Sequence, residues 1–306
     1  MKQQRSSIYC SSRSFSNKLT LIAQAACRAH PEKATKHPHG DDAFFVGPDS
    51  VGVADGVSAW AQVDVDAGVY ARELMSLCKE ELDAMEGVKD PKMALQNAYK
   101  RSLSSKSSSL GTCTACVATL ETDGLLRAAN IGDSGFIVIR KGQFREAPGF
   151  DVEKSRGEGW EVVYRSADMQ KFFNCPDQLG SGSPDRPARA ESYELPVEAG
   201  DVLIVATDGL FDNFSDNEIC ITMKRLCSDL TSLKDVAFHQ ASSQTEGLSE
   251  CLSEVATHFV EQSHVIGMSE TARTPFTKHA LRAGYFYEGG KLDDTAVVVA
   301  LVAAKT

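Results

Sequence analysis

Four apolar runs in this sequence each begin or end on aspartate, and no other feature limits the fold as strongly. Val51-Gly-Val-Ala54 runs into Asp55-Gly56, and Val202-Leu-Ile-Val-Ala-Thr207 runs into Asp208-Gly209. Asp293-Asp294 opens Thr295-Ala-Val-Val-Val299, and Asp41-Asp42 opens Ala43-Phe-Phe-Val46. Short apolar runs of this kind are buried strands. Each therefore carries a carboxylate to the end of a core element. Carboxylates gathered at such ends repel one another unless a cation holds them. A single Asp-Gly is more simply a turn. Its recurrence at the ends of buried strands points instead to a metal site made of several carboxylates, with Gly56 letting the backbone come close to whatever Asp55 binds.

A chain of 306 residues with 42% hydrophobic content can bury a large core without disulfides. The net charge of −10 argues against broad nucleic-acid binding. No apolar run reaches the length of a membrane span. Nine cysteines without a regular framework fit a reducing compartment. Cys113-Thr-Ala-Cys116 has redox-motif spacing, but it lies in a strand-like run, where residues three apart face opposite sides. Two buried core cysteines are the simpler reading.

Residues 1–18 are basic and serine-rich, and no acid precedes Glu32. They read as an organellar presequence, with a disordered tail as the plain alternative. Arg13-Ser-Phe-Ser16 favours mitochondrion over plastid. Residues 19–306 read as one catalytic domain. Within it, helices are expected over Ala67 to Glu86, from Asp90-Pro91 to about Leu103, from the capping box Ser215-Asp-Asn-Glu218 onward, and over Ser249–Gln262. Strands are expected from near Leu19 and at Thr112–Leu120, Leu125–Ile131, Phe136–Arg140, Val202–Thr207 and Thr295–Ala303. Residues 145–192, rich in Gly, Pro and charge, read as a long surface flap. Strands in runs with paired helices between them predict antiparallel sheets with helices outside, not an alternating βαβ fold.

The candidate ligands are Asp55, Asp208 and Asp293, with Asp41, Asp42 and Asp133 nearby. All are hard oxygen donors, and no His or Cys accompanies them, which selects Mg²⁺ or Mn²⁺ over zinc. Two such ions activate water and stabilise charge on a phosphoryl group. The chemistry expected is hydrolysis of a phosphate ester without a covalent enzyme intermediate.

Several ordered motifs resemble those of the metal-dependent type 2C protein serine/threonine phosphatases, in their organellar branch. They are Gly40-Asp-Asp-Ala-Phe-Phe-Val46, Val53-Ala-Asp-Gly-Val57, Ala67-Gly-Val-Tyr-Ala-Arg-Glu-Leu-Met75, Asn130-Ile-Gly-Asp-Ser-Gly-Phe136, Phe173-Asn-Cys-Pro176, Ala206-Thr-Asp-Gly-Leu-Phe-Asp-Asn213 and Gly289-Gly-Lys-Leu-Asp-Asp294. The resemblance implies an α+β fold of two packed antiparallel sheets with a helical layer on each outer face. It implies phosphoprotein substrates and two Mg²⁺ or Mn²⁺ ions, bridged by Asp55. The Gly56 carbonyl would ligate one ion, and Asp208 and Asp293 the other. Asp41 and Asp42 would act through metal-bound waters, and Asp133 would help hold a third, weaker ion. The chain departs from the family at three places. His37 stands where many members carry a phosphate-binding Arg, and Val57 where many carry a His proposed as general acid. Asp41 stands where Glu is usual. The missing Arg and His motivate one alternative, a pseudophosphatase acting as a binding module. A second is a different metal hydrolase such as a small-molecule phosphatase, since an Asp-Gly strand end also serves a mechanism through phospho-Asp208.

Overall fold

The computed structural model describes residues 18–35, 37–104, 110–143, 158–227, 237–238 and 243–305. The presequence reading therefore lies outside the described residues apart from Lys18, as do residues 145–157 of the expected flap.

The chain opens with β1 (Lys18–Arg28), β2 (Ala43–Val46) and β3 (Ser50–Ala54), then α1 (Ala67–Ala84) and α2 (Pro91–Ser104). Strands β4 (Thr112–Cys113), β5 (Ala115–Leu120), β6 (Leu125–Ile131), β7 (Gly135–Gln143) and β8 (Glu158–Arg165) follow. Short strands β9 (Gln170–Phe172), β10 (Cys175–Pro176) and β11 (Leu179–Gly180) lead to β12 (Glu191–Pro196) and β13 (Val202–Ala206). The remainder is α3 (Asp208–Phe211), α4 (Asp216–Leu226), β14 (Ala237–Phe238), α5 (Ser243–Gly267), α6 (Pro275–Arg282) and β15 (Thr295–Lys305).

Two sheets carry the fold. One has the order β12-β6-β5-β3-β2, and the other β1-β15-β13-β7-β8, with β14 added on β15. Neighbours along both main paths are antiparallel. Alternation along the strands fills three cores. Val53, Cys116 and Ala128 of the first sheet meet Phe136, Val205, Val298 and Ala300 of the second in the layer between the sheets. The intervening residues Ile137, Ile204, Val297 and Val299 face outward, under Ile219 of α4 and Val255 and Phe259 of α5. On the opposite outer face, Ala54, Ala115 and Val117 pack beneath Leu74 of α1 and Leu95 of α2. This is the expected α-β-β-α layering. It also explains why the central strands read as unbroken apolar runs: both of their faces are buried. Cys113 of β4 and Cys116 of β5 are buried in different cores, so the two thiols do not pair.

The expected flap contributes more to the sheets than its composition suggested. β8 pairs with β7, and β12 pairs with β6, so both ends of that stretch are sheet edges. Between them, β9 and β10 form a small hairpin.

Candidate metal centre

The strand ends that carry the acids meet at one end of the two sheets. Asp55 follows β3 directly. Its backbone N–H donates to Thr114 Oγ1 (3.2 Å), and its carbonyl accepts from Thr114 N (2.9 Å). Thr114 Oγ1 lies 2.6 Å from Ser134 Oγ, which fastens Asp55 to the β6–β7 turn that carries Asp133. Gly56 N donates to the Asp41 carbonyl at 3.1 Å. A Cβ on Gly56 would sit 2.6 Å from that oxygen, so only glycine allows the approach.

Asp208 is the first residue of α3, immediately after β13 and Thr207. The Thr207 hydroxyl donates to Asp42 Oδ2 at 2.8 Å and accepts from Ala296 N at 2.9 Å. One side chain thus ties the entry of β2 to the second sheet. Carboxylate oxygens of Asp55, Asp133 and Asp208 all lie within 4.8 Å of one another. Asp293 joins this group through Lys291, whose Nζ contacts Asp208 and lies 2.8 Å from Asp212 and 3.2 Å from Asp293.

The electrostatics are those of a centre that calls for positive charge. Removal from water pushes the carboxyls of Asp42, Asp55 and Asp208 well above the usual carboxylate range. Neighbouring acids add to it: Asp294 acts on Asp42, and Asp208 acts on Asp55. At Asp208 the pull of Lys291 opposes the rise. Burial raises Asp133 to about 6. Burial alone would lower the Lys291 ammonium, but Asp208, Asp212 and Asp293 reverse this and drive it well up. Oδ1 of Asp42, of Asp133 and of Asp208 is buried with no hydrogen-bond partner. Three unpaired carboxylate oxygens, two of them within a trio packed this tightly, fit a divalent ion held by hard donors.

Two expected site residues sit apart from this trio, and both are held by specific partners. Asp41 turns its Oδ2 to Lys33 Nζ at 2.6 Å. Asp42 is engaged with Thr207, as above. Three residues that the sequence reading passed over complete the centre. Asp294 is buried and accepts from His30 N (2.6 Å), Lys33 Nζ (2.6 Å) and Asp41 N (3.0 Å). Lys33 and Lys291 come from polar loops without periodicity, where no pattern singles out a lysine. Asp294 had a signal in its place beside Asp293 at a strand start, since adjacent strand residues face opposite ways. His37 and His39 are half-buried, with ring centroids 5.3 Å apart. The β9–β10 hairpin closes one wall: Gln170 Nε2 donates to Asp133 Oδ2 at 2.8 Å, and the Phe173 ring packs on Phe276 of α6 and on Tyr285.

The family model for protein phosphatase 2C matches residues 34–255. A protein phosphatase PTC7 homolog of Xenopus laevis is 33% identical over 282 residues, covering 88% of this chain and 83% of that protein. The chain belongs to the protein phosphatase 2C family. "Probable protein phosphatase 2C 71" of Oryza sativa subsp. japonica is 36% identical over 293 residues, 94% of this chain but 53% of that protein. This phosphatase 2C chain thus spans about half the length of the first plant relatives it matches. Among solved structures, the photosystem II phosphatase PBCP superposes with a TM-score of 0.72 at 28% identity, covering 93% of this chain and 99% of that one. The catalytic domain of the phosphatase PstP, solved with two manganese ions, shares the fold with a TM-score of 0.57 at 16% identity, over 93% and 99% of the two chains.

Proposed function

We propose that this protein is a metal-dependent protein serine/threonine phosphatase. The tightly packed Asp55–Asp133–Asp208 trio, with unpaired buried oxygens on Asp133, Asp208 and the neighbouring Asp42, carries the reading. Asp55, the Gly56 carbonyl, Asp208 and Asp293 would hold two Mg²⁺ or Mn²⁺ ions, with Asp133 serving a third, weaker site. Such ions, when bound, lower the pKa of water and offset charge on a phosphoryl group. The chain's own residues set the stage for that chemistry. Thr207 fixes Asp42 by its hydroxyl, Thr114 fixes Asp55, and Lys33 holds Asp41 and Asp294 together. Asp41 and Asp42 are then placed to act through bound water, as the family resemblance implies.

No acid of the predicted set is missing, which weighs against a binding module without turnover. Family membership argues against a phospho-Asp208 intermediate. The basic, acid-free leader supports an organellar site of action, mitochondrial by its Arg13-Ser-Phe-Ser16 stretch. Delivery of a fluorescent protein fused to residues 1–30 into plastids instead would correct that assignment.

The deciding experiment is phosphate release from a phosphothreonine peptide in Mn²⁺, in Mg²⁺ and in EDTA, beside Asp208→Ala. Release that needs metal and disappears in the variant is expected. A folded protein that binds Mn²⁺ yet releases no phosphate from any phosphopeptide would falsify the reading and favour the binding module.

A further inference from the structure

Beside Asp41 lies a cavity of about 130 Å³, lined by Lys33, His37, Gly40, Asp41, Val65 and Asp66 among others. Arg72 reaches its wall from α1. Nη1 donates to the Gly40 carbonyl at 3.0 Å and lies 3.5 Å from His37 Nδ1, and Nη2 lies 3.5 Å from Asp66 Oδ2. All three of these partners line the cavity. Gly68, one helical turn earlier on the same face, permits the approach. A Cβ there would lie 2.6 Å from Arg72 Nη1, 2.7 Å from the Gly40 carbonyl and 2.8 Å from Asp41 Cα.

The cations around this centre differ in what they have left to give. Lys33 Nζ is held by Asp41 and Asp294 at 2.6 Å and by Ser58 Oγ at 2.8 Å. Lys291 is held by three carboxylates. Arg72 has five N–H donors and commits one firmly, to the Gly40 carbonyl. Its contact with Asp66 is long for a charge-assisted bond. A phosphomonoester dianion must approach a cluster of aspartates, and it gains most from a planar fork that can grip two oxygens at once.

We propose that Arg72 and this cavity form the subsite for the phosphoryl oxygens of the substrate. The guanidinium is supplied from α1 because position 37 carries histidine. The inference rests on the phosphatase reading and refines it.

The test uses the full chain with Mn²⁺, as wild type, Arg72→Ala and Arg72→Lys. Kinetics are read with a phosphothreonine peptide, and binding of inorganic phosphate is read by calorimetry. Arg72→Ala is expected to raise KM and weaken phosphate binding in parallel, by about ten- to a hundredfold. Mn²⁺ affinity and the thermal midpoint should stay at wild-type values. Arg72→Lys should recover charge without the fork and fall between the two. Unchanged KM and phosphate affinity in Arg72→Ala would overturn the proposal. So would a loss of phosphate affinity that merely follows a loss of Mn²⁺ affinity. If Arg72→Ala does not fold, full phosphate affinity in Arg72→Lys overturns it and a reduced one supports it. Should wild type bind phosphate but hydrolyse no peptide, the function fails, while calorimetry still decides the role of Arg72.

Discussion

Thr207 serves both sheets with one hydroxyl, and its removal has a definite cost. Thr207→Val would leave Asp42 Oδ2 and Ala296 N without that partner in a fully buried setting. A loss of about 1–3 kcal/mol in stability is expected, read from urea unfolding of the metal-free protein. Asp55→Asn should behave in the opposite way. Burial and the four neighbours that act most on Asp55, all carboxylates, disfavour its charge, so a neutral amide relieves both. The metal-free variant should melt no lower than wild type, while stabilisation by Mn²⁺ is lost and activity falls at least about a hundredfold. A variant that melts lower in EDTA would show that Asp55 stabilises the fold by its charge. The acids were legible in the sequence because each stands at the end of an apolar run. The groups that hold them were less so. Lys33 contacts Asp294 from the far end of the chain and bridges it to Asp41, and Arg72 projects from a helix whose pattern reports only its buried side. Such residues carry no periodic mark, and only the fold brings them to the centre.

At the scale of elements, capping chemistry was readable where its residues were the usual ones. Ser215 accepts from Glu218 N, and the Glu218 side chain answers at Ser215 N. Ser215→Ala should cost about 1 kcal/mol, measured by guanidinium unfolding, with the kinetics unchanged because α4 lies outside the acidic centre. Unchanged stability would mean that tertiary packing alone sets the start of that helix. Helix α6 escaped the sequence reading although it too has a capping box. Thr277 stands in it where Glu or Gln is the familiar partner of Thr274, and the helix buries only Phe276 and Ala280. β8 was hidden differently. Trp160 is buried, Val162 and Tyr164 are half-buried, and Val163 is exposed. That alternation is a strand signal, but it is short and set in a stretch of glycine and charge.

For the whole molecule, the acids make stability depend on pH in a direction set by the ion. In the metal-free fold Asp133 titrates near 6, and Asp42, Asp55 and Asp208 titrate higher than in an unfolded chain. The folded state then binds more protons than the unfolded one above about pH 4. Stability contributed by these groups is therefore present at low pH and lost as pH rises through their folded values. In EDTA the melting temperature should fall between pH 5 and pH 7.5. With Mn²⁺ the slope should flatten or reverse, because ligation needs the deprotonated acids. An EDTA midpoint that rises over that range would contradict the account. The pairing of β1 with β15 has a further consequence. Arg28 lies opposite Thr295 at the acidic end, and Lys18 lies opposite Lys305 at the other. Ten strand steps separate the two, roughly 30 Å. Chain grafted before Lys18 or after Lys305 would emerge side by side, remote from the reacting groups. A fused module, a purification handle or a linker closing the two ends for permutation should be tolerated there without retuning catalysis.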